Sequence, residues 1–185
     1  MRSRVFVLAM VGCFLASAAV AQDIDITRHP GYIDLEEIKV PDNAGQITDI
    51  DLGPALLRLA LWAEEETGVE DLQKSLSGLL SLRVKSFDIH HDENESIRAV
   101  MEKIDKKLKR EKWEMLVRVK SEDVITNISL KTKKGKIVGF FLMSMEAGDK
   151  VAFANIVGGN IDLESIKNMG LGLKEAGLDS LWKDF

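Results

Sequence analysis

Two adjacent histidines stand among acidic residues near the middle of the chain, in the sequence Asp88-Ile-His90-His91-Asp92-Glu93. Imidazole and carboxylate groups are ligands for zinc and copper, so His90, His91 and Asp88 are weak candidates for a metal site. Adjacent side chains of a strand point to opposite faces, however, so only one histidine could join a given site unless the backbone turns there. The end of a strand followed by a helix cap accounts for every residue of this cluster, and we prefer that structural interpretation.

No other group of residues predicts catalysis. No serine lies in a Gly-x-Ser-x-Gly nucleophile elbow. The pair Gly158-Gly159 and the Gly170-x-Gly172 segment lack the lysine and the spacing of a phosphate-binding loop. The only cysteine is Cys13, which leaves the rest of the chain without a thiol. We therefore predict no catalytic residue and no cofactor, with a metal-dependent hydrolase at the histidine pair as an alternative.

The first residues have the pattern of an export signal. Arg2 and Arg4 precede an apolar run that ends in the small-x-small site Ala19-Val20-Ala21, which are the three parts of a secretory signal peptide. We predict that residues 1–21 are cleaved and that the protein is periplasmic or secreted. No later stretch is apolar enough to form a transmembrane anchor. Met10-Val11-Gly12-Cys13 loosely resembles a lipoprotein cleavage box, but the apolar core before it is very short, so we expect no lipid anchor at Cys13.

The composition limits the partners of the mature chain. The net charge is −5 at pH 7, and removal of two arginines with the signal peptide makes the remainder more acidic. This balance argues against general binding to nucleic acid or to anionic membranes, both of which favour basic surfaces. The length is sufficient for one hydrophobic core without disulfide bonds.

The periodicity of apolar residues predicts an α+β domain. A strand at 47–52 is followed by helices at 55–66 and 69–77, a strand at 80–89, a helix at 97–108, four successive strands between 113 and 157, and a helix at 161–169. Such an order favours a mostly antiparallel sheet with helices packed on one face. We divide the chain into a signal peptide (1–21), an extended N-terminal arm (22–46), a single domain (47–172) and a C-terminal tail (173–185).

The strand predicted at 137–145 is apolar on both sides. Alternation places Val138, Phe140 and Leu142 on one side and Ile137, Phe141, Met143 and Met145 on the other. Helices on one face cover only one set, and each large side chain left in water would forgo about 1.5–3 kcal/mol. The arm, the tail, a second subunit or an apolar ligand could cover the second set. We predict that Phe141, Met143 and Met145 form an interaction face for an unknown protein partner or for self-association, with a carrier of a hydrophobic ligand as an alternative.

Several weak motifs occur in an order that resembles a known family. They are Leu79-Leu80-Ser-Leu82-Arg83-Val84, Trp113-Glu-Met-Leu-Val-Arg118 and Val157-Gly158-Gly-Asn-Ile161-Asp162-Leu163-Glu164. This order resembles the exported bacterial family described as domain of unknown function DUF4252, from about Asp49 to Gly172. The resemblance implies export in a Gram-negative-type bacterium and supplies no activity and no catalytic residue. We therefore expect a non-enzymatic exported module that acts by contacts in the cell envelope.

Overall fold

The computed structural model describes residues 25–57 and 78–162. The predicted signal peptide, the helix at 69–77 and the tail lie outside these residues, as do most of the helices predicted at 55–66 and 161–169. The described elements are one long helix and six strands: β1 (Ile47–Leu52), β2 (Leu79–Asp88), α1 (Asn94–Arg110), β3 (Glu114–Lys120), β4 (Val124–Lys133), β5 (Lys136–Glu146) and β6 (Lys150–Gly158). Residues 54–57 are helical and begin at Pro54, a residue suited to the first turn of a helix.

The six strands form one antiparallel sheet in the order β1-β2-β6-β5-β4-β3. The predicted succession of four strands is confirmed as the meander β3 to β6. The return of β6 to β2 is a long-range pairing, from Leu79 opposite Gly158 to Asp88 opposite Lys150. The sheet therefore has β1 at one edge and β3 at the other.

A tight turn joins β4 to β5, as the residues Lys133-Lys134-Gly135-Lys136 predict. Lys134 and Gly135 both adopt positive φ angles, 52° and 74°, which a two-residue turn of type I′ requires. The backbone twist of this turn matches the twist of the flanking strands, so the turn fixes the start of their register.

One face of the sheet is covered by α1 and by the N-terminal arm. Ile97, Met101 and Leu108 of α1 join Ile33, Leu35 and Ile38 of the arm in one core cluster with β5 and β6. Beneath them, Phe141 is 1% exposed, and Met143 and Met145 are fully buried. The expectation that this second apolar face needs a cover is confirmed. Because the chain supplies that cover itself, the three residues are core residues, which corrects their assignment to an open interaction face.

The opposite face carries a second core cluster. Phe140, Leu142 and Ile156 are buried there, and the cluster includes Leu57 from the short helical segment and Ile161 after β6. Helical residues therefore contact both faces of the sheet. This corrects the prediction that the helices share one face.

A β-bulge changes the side on which Ile137 lies. The β4–β5 register shifts between Lys131 and Thr132, so that Thr132 pairs with Ile137. One extra residue in a strand reverses the alternation beyond it. Ile137 consequently packs with the cluster of Phe140 instead of the cluster of Phe141.

Candidate functional site

The predicted metal candidates lie where β2 ends and a short 3-10 helix, His91–Glu93, begins. A carboxylate oxygen of Asp88 accepts a hydrogen bond from the backbone N–H of Gln46 at 3.0 Å. The backbone N–H of His90 donates to the Glu93 carboxylate at 2.8 Å. Among the residues that the structure describes, no three His, Cys, Asp or Glu side chains are placed to hold a metal ion. The contacts of this segment are those of a strand end and a helix start.

Asn155 fastens the N-terminal arm to the sheet. Its side chain is fully buried, and its Oδ1 accepts a hydrogen bond from the N–H of Ile33 at 2.9 Å. Its Nδ2 donates to the carbonyl oxygens of Gly31 and Phe140 at 3.0 and 3.1 Å. The arm approaches β5 so closely that a Cβ at Gly31 would lie 2.2 Å from the carbonyl oxygen of Val138. The arm is thus an integral part of the fold.

Two buried cations strengthen the same attachment. The Arg83 guanidinium donates to the Asp51 carboxylate at 3.0 Å and to the Tyr32 hydroxyl at 2.8 Å. Burial acts to lower the pKa of Arg83, but the facing carboxylates, Asp51 first, outweigh it and raise the pKa above its ordinary value. Lys85 donates to the carbonyl oxygen of Leu35 at 3.2 Å. Both cations are therefore occupied in holding the arm.

These two residues correct the interpretation of β2. Leu82 and Val84 alternate with Arg83 and Lys85, which predicts a half-buried strand whose cations lie on the solvent side. In the structure each of the two cations is only 6% exposed. The sequence did contain an indication that these two cations are paired with carboxylates. Asp49 and Asp51 are spaced two residues apart on β1, directly opposite Lys85 and Arg83 in the sheet register. Opposite charges at the same spacing on neighbouring strands favour cross-strand pairs.

A groove of about 280 Å³ lies on the other side of the molecule, between α1 and strands β3 and β4. We call it the basic groove. Its walls hold more cations than carboxylates: Glu102 and Asp105 face Arg98, Lys106, Lys109, Arg118 and Lys120. The groove is thus a positively charged region in a chain whose net charge is −5.

Asp105 organises one wall of the basic groove. Its carboxylate accepts hydrogen bonds from Lys109 and Arg118, each at 2.9 Å. Burial acts to raise the pKa of Asp105, but the hydrogen bonds from the two cations outweigh it and hold the pKa below its ordinary value. Lys106 and Lys120 have no ion pair among the described residues. Positive charge therefore remains available at the rim.

The floor of the basic groove combines apolar and polar groups. Met101 and Ile125 supply the apolar part, and Asn127 lies beside them. Asn127 is only 7% exposed, and its Oδ1 has no hydrogen-bond partner in the described part of the chain. Buried polar atoms nearly always have partners, so an unpaired oxygen in a residue that lines the groove is unusual.

Strand β3 is an exposed edge of the sheet. Every residue in it is exposed except the half-buried Val117, and Leu116 is 53% exposed. Met115 and Val119 are also large exposed apolar side chains. Beyond β4, no described strand pairs with β3. Within the described residues, the outward backbone groups of β3 therefore have no strand partner.

The fold and these surfaces define the class: an α+β protein built on a six-stranded antiparallel sheet, with an open edge strand beside a basic groove. Over residues 42–169 the chain matches the model of a family described as a domain of unknown function, DUF4252. The match covers more than half of the chain, so the chain belongs to this family, and the predicted resemblance is confirmed. No curated protein and no solved structure matches the chain significantly. Within the described ranges, no helix has the length and apolarity needed to cross a membrane.

Proposed function

We propose that this protein is an exported, non-enzymatic module of the bacterial cell envelope that binds another protein through the edge of β3. The observation that carries the proposal is the exposure of Met115, Leu116 and Val119 on an edge strand. Proteins commonly protect such edges because unpaired strands recruit other chains. An exposed apolar edge is also the surface to which an extended peptide adds as a further strand.

The charges on β3 indicate the chemistry of the partner. Arg118 and Lys120 alternate with the apolar residues of this edge. A partner strand with acidic residues near Arg118 and Lys120 would be complementary to β3 in charge. Apolar residues near Leu116 and Val119 would make it complementary in hydrophobicity as well. The opposite edge, β1, differs because its Asp49 and Asp51 lie close to Lys85 and Arg83. The partner is therefore expected at β3 and not at β1.

The alternatives receive less support from the described residues. A metal-dependent hydrolase needs a ligand cluster, and the contacts of His90, His91 and Asp88 are local ones at a strand end. A carrier of a hydrophobic ligand needs an apolar cavity. The basic groove and a smaller cavity of about 110 Å³ between the arm and α1 both have charged walls.

Site-specific crosslinking in intact cells tests the proposal. A photo-crosslinking amino acid is placed at Leu116 in the full chain, and Ile47, an exposed apolar residue of the other edge strand, serves as the matched control position. We expect a crosslink to one envelope protein from Leu116 and none from Ile47. Val119→Asp should reduce the crosslink about tenfold, because it replaces an apolar contact by a charge that repels acidic residues of the partner, whereas Ile47→Asp should leave it unchanged.

The captured protein must then protect the edge itself. Addition of the purified partner should slow hydrogen exchange at the backbone amides of β3, as expected when a strand is added there. Equal crosslinking from both positions, or a crosslink that survives Val119→Asp, would contradict the proposal. A crosslink only to a second copy of this chain would replace the protein partner by self-association.

A further inference from the structure

The basic groove has a local charge that a ligand must balance. Its walls carry five cations, including Lys106 and Lys120, against the two carboxylates of Glu102 and Asp105. The carboxylate of Asp105 is shared between Lys109 and Arg118, so it does not compensate the remaining lysines. Clefts with one sign of charge and low-dielectric walls concentrate ions of the opposite sign.

The composition of the groove indicates which kind of anion it can bind. Asn127 has both donor and acceptor atoms in its amide group, and its buried oxygen lacks a partner. No group in the described part of the chain bonds to this oxygen, so the floor of the groove includes a polar side chain that is not fully hydrogen-bonded. A phosphate monoester carries about 1.5–2 negative charges at pH 7, so it offsets the excess of cations better than a carboxylate, which carries one charge.

The two arginines of the groove also favour a phosphate ligand. The groove has a guanidinium at each side, Arg98 from α1 and Arg118 from β3. The fork of N–H donors in arginine matches the oxygens of a phosphate group. A volume of about 280 Å³ lies just below the usual range for small-molecule sites, which suits a small phosphate ester better than a large ligand.

We propose that the basic groove binds a phosphate monoester group, with Lys106 and Lys120 at its rim and Asn127 at its floor. This site adjoins the protein contact proposed at Leu116 and Val119, because Arg118 and Lys120 lie beside both. Phosphate binding and the crosslink from Leu116 are measured separately, so either proposal can fail without the other. A small soluble phosphate ester and the headgroup of a phospholipid share this chemistry. The test therefore includes both sources.

Binding is measured by NMR titration of the ¹⁵N-labelled chain from residue 22 onward with inorganic phosphate and with glycerol phosphate. Vesicles of phosphatidylcholine with and without phosphatidic acid are tested by sedimentation. Lys106→Gln combined with Lys120→Gln should weaken binding about tenfold, because it removes two charges that contact the anion. The matched control combines Lys133→Gln with Lys136→Gln, two exposed lysines at the β4–β5 hairpin, and should change binding less than twofold.

A further variant should strengthen phosphate binding instead of weakening it. Asp105→Asn removes a carboxylate from the groove wall and should tighten phosphate binding severalfold, and the side-chain amide signal of Asn127 should shift on titration. Binding to the soluble phosphates assigns a free ligand, and binding only to vesicles with phosphatidic acid assigns a lipid headgroup. The inference is overturned if neither probe binds or if the two double variants weaken binding equally, since the latter would reflect overall charge alone.

Discussion

Asn127 and Asn155 are buried amides on the same face of the sheet, and they differ in their hydrogen bonds. They flank β5, where Asn127 pairs with Met143 and Asn155 pairs with Phe141. Asn155 makes three hydrogen bonds to backbone groups, whereas the Oδ1 of Asn127 makes none. The same type of side chain is therefore fully hydrogen-bonded in one strand and has an unpaired oxygen in another.

Replacement of each asparagine by alanine should separate these two roles. Asn155→Ala should lower the free energy of unfolding by about 3 kcal/mol, because it leaves the buried N–H of Ile33 and two carbonyl groups without partners. Asn127→Ala removes the same atoms but no hydrogen bond to Oδ1, so its cost should stay below about 1 kcal/mol. Urea unfolding of the two variants, compared with the unmodified chain, measures both values. Equal losses would show that Asn155 contributes by its volume and not by its hydrogen bonds.

At the scale of single residues, the sequence shows which residue types are present but does not show which of them are in contact. The acidic pair on β1 and the cations Arg83 and Lys85 have matching spacing, but only the strand pairing shows that they are neighbours. Asn127 has no distinguishing feature in the sequence, because its importance depends on the helix that closes the groove above it. The histidine pair is conspicuous in the sequence, yet its contacts in the fold are local.

The N-terminal arm is the element whose role the sequence underestimates. It has weak periodicity, and an extended arm is predicted, but Ile33, Leu35 and Ile38 are buried in the main core. Its irregular path is possible because buried side chains satisfy its backbone: Asn155 bonds to the arm at Gly31 and Ile33, and Lys85 bonds at Leu35. An arm held in this way forms part of the domain and does not act as a linker.

A single methyl group at Gly31 should detach this element. In Gly31→Ala the new Cβ would meet backbone atoms of Val138 and Gly139 at 2.2 and 2.7 Å, which side-chain rotation cannot relieve. We expect a loss of about 2 kcal/mol in the free energy of unfolding, typical of overpacking, and faster hydrogen exchange at the amide of Ile33. Gly53→Ala is the control, because its Cβ would have no neighbour within 4 Å. Unchanged exchange at Ile33 in Gly31→Ala would mean that the arm adapts without leaving the sheet.

The six strands and α1 were predictable from the apolar periodicity, whereas the order of the strands in the sheet was not. The bounds of β1, β2 and α1 agree with the apolar periodicity to within a few residues. The pairing of β2 with β6 joins segments about 70 residues apart, and nothing local specifies such a contact. The bulge near Ile137 could not be predicted from the sequence either. One unpaired residue there reverses which face of the sheet the following side chains lie on, whereas simple alternation predicts no change.

Across the whole molecule, opposite charges are concentrated at opposite edges of the sheet. Acidic residues of the arm and of β1 surround Arg83 and Lys85 at one edge, and the basic groove lies beside β3 at the other. The net charge of −5 conceals this separation. An argument from composition against anionic partners therefore holds for the average surface and does not extend to one groove.

The first residues of the chain have a pattern that predicts the compartment to which the protein is exported. The pattern from Arg2 to Ala21 predicts export and cleavage before Gln22, because signal peptidase requires small residues at Ala19 and Ala21. In a Gram-negative host, intact-mass measurement of the periplasmic fraction should therefore find a chain that begins at Gln22.

Two variants distinguish this processing from the lipoprotein route. Bulky residues at the cleavage site, Ala19→Phe with Ala21→Phe, should leave the full-length chain in the membrane fraction. Cys13→Ser should have no effect, because cleavage before Gln22 would remove Cys13 from the mature chain. If instead Cys13→Ser blocks processing, or the mature mass includes acyl chains on Cys13, the protein is a lipoprotein. The apolar run after Cys13 would then link the folded domain to a lipid anchor, and the partner of β3 would have to be sought at the membrane surface.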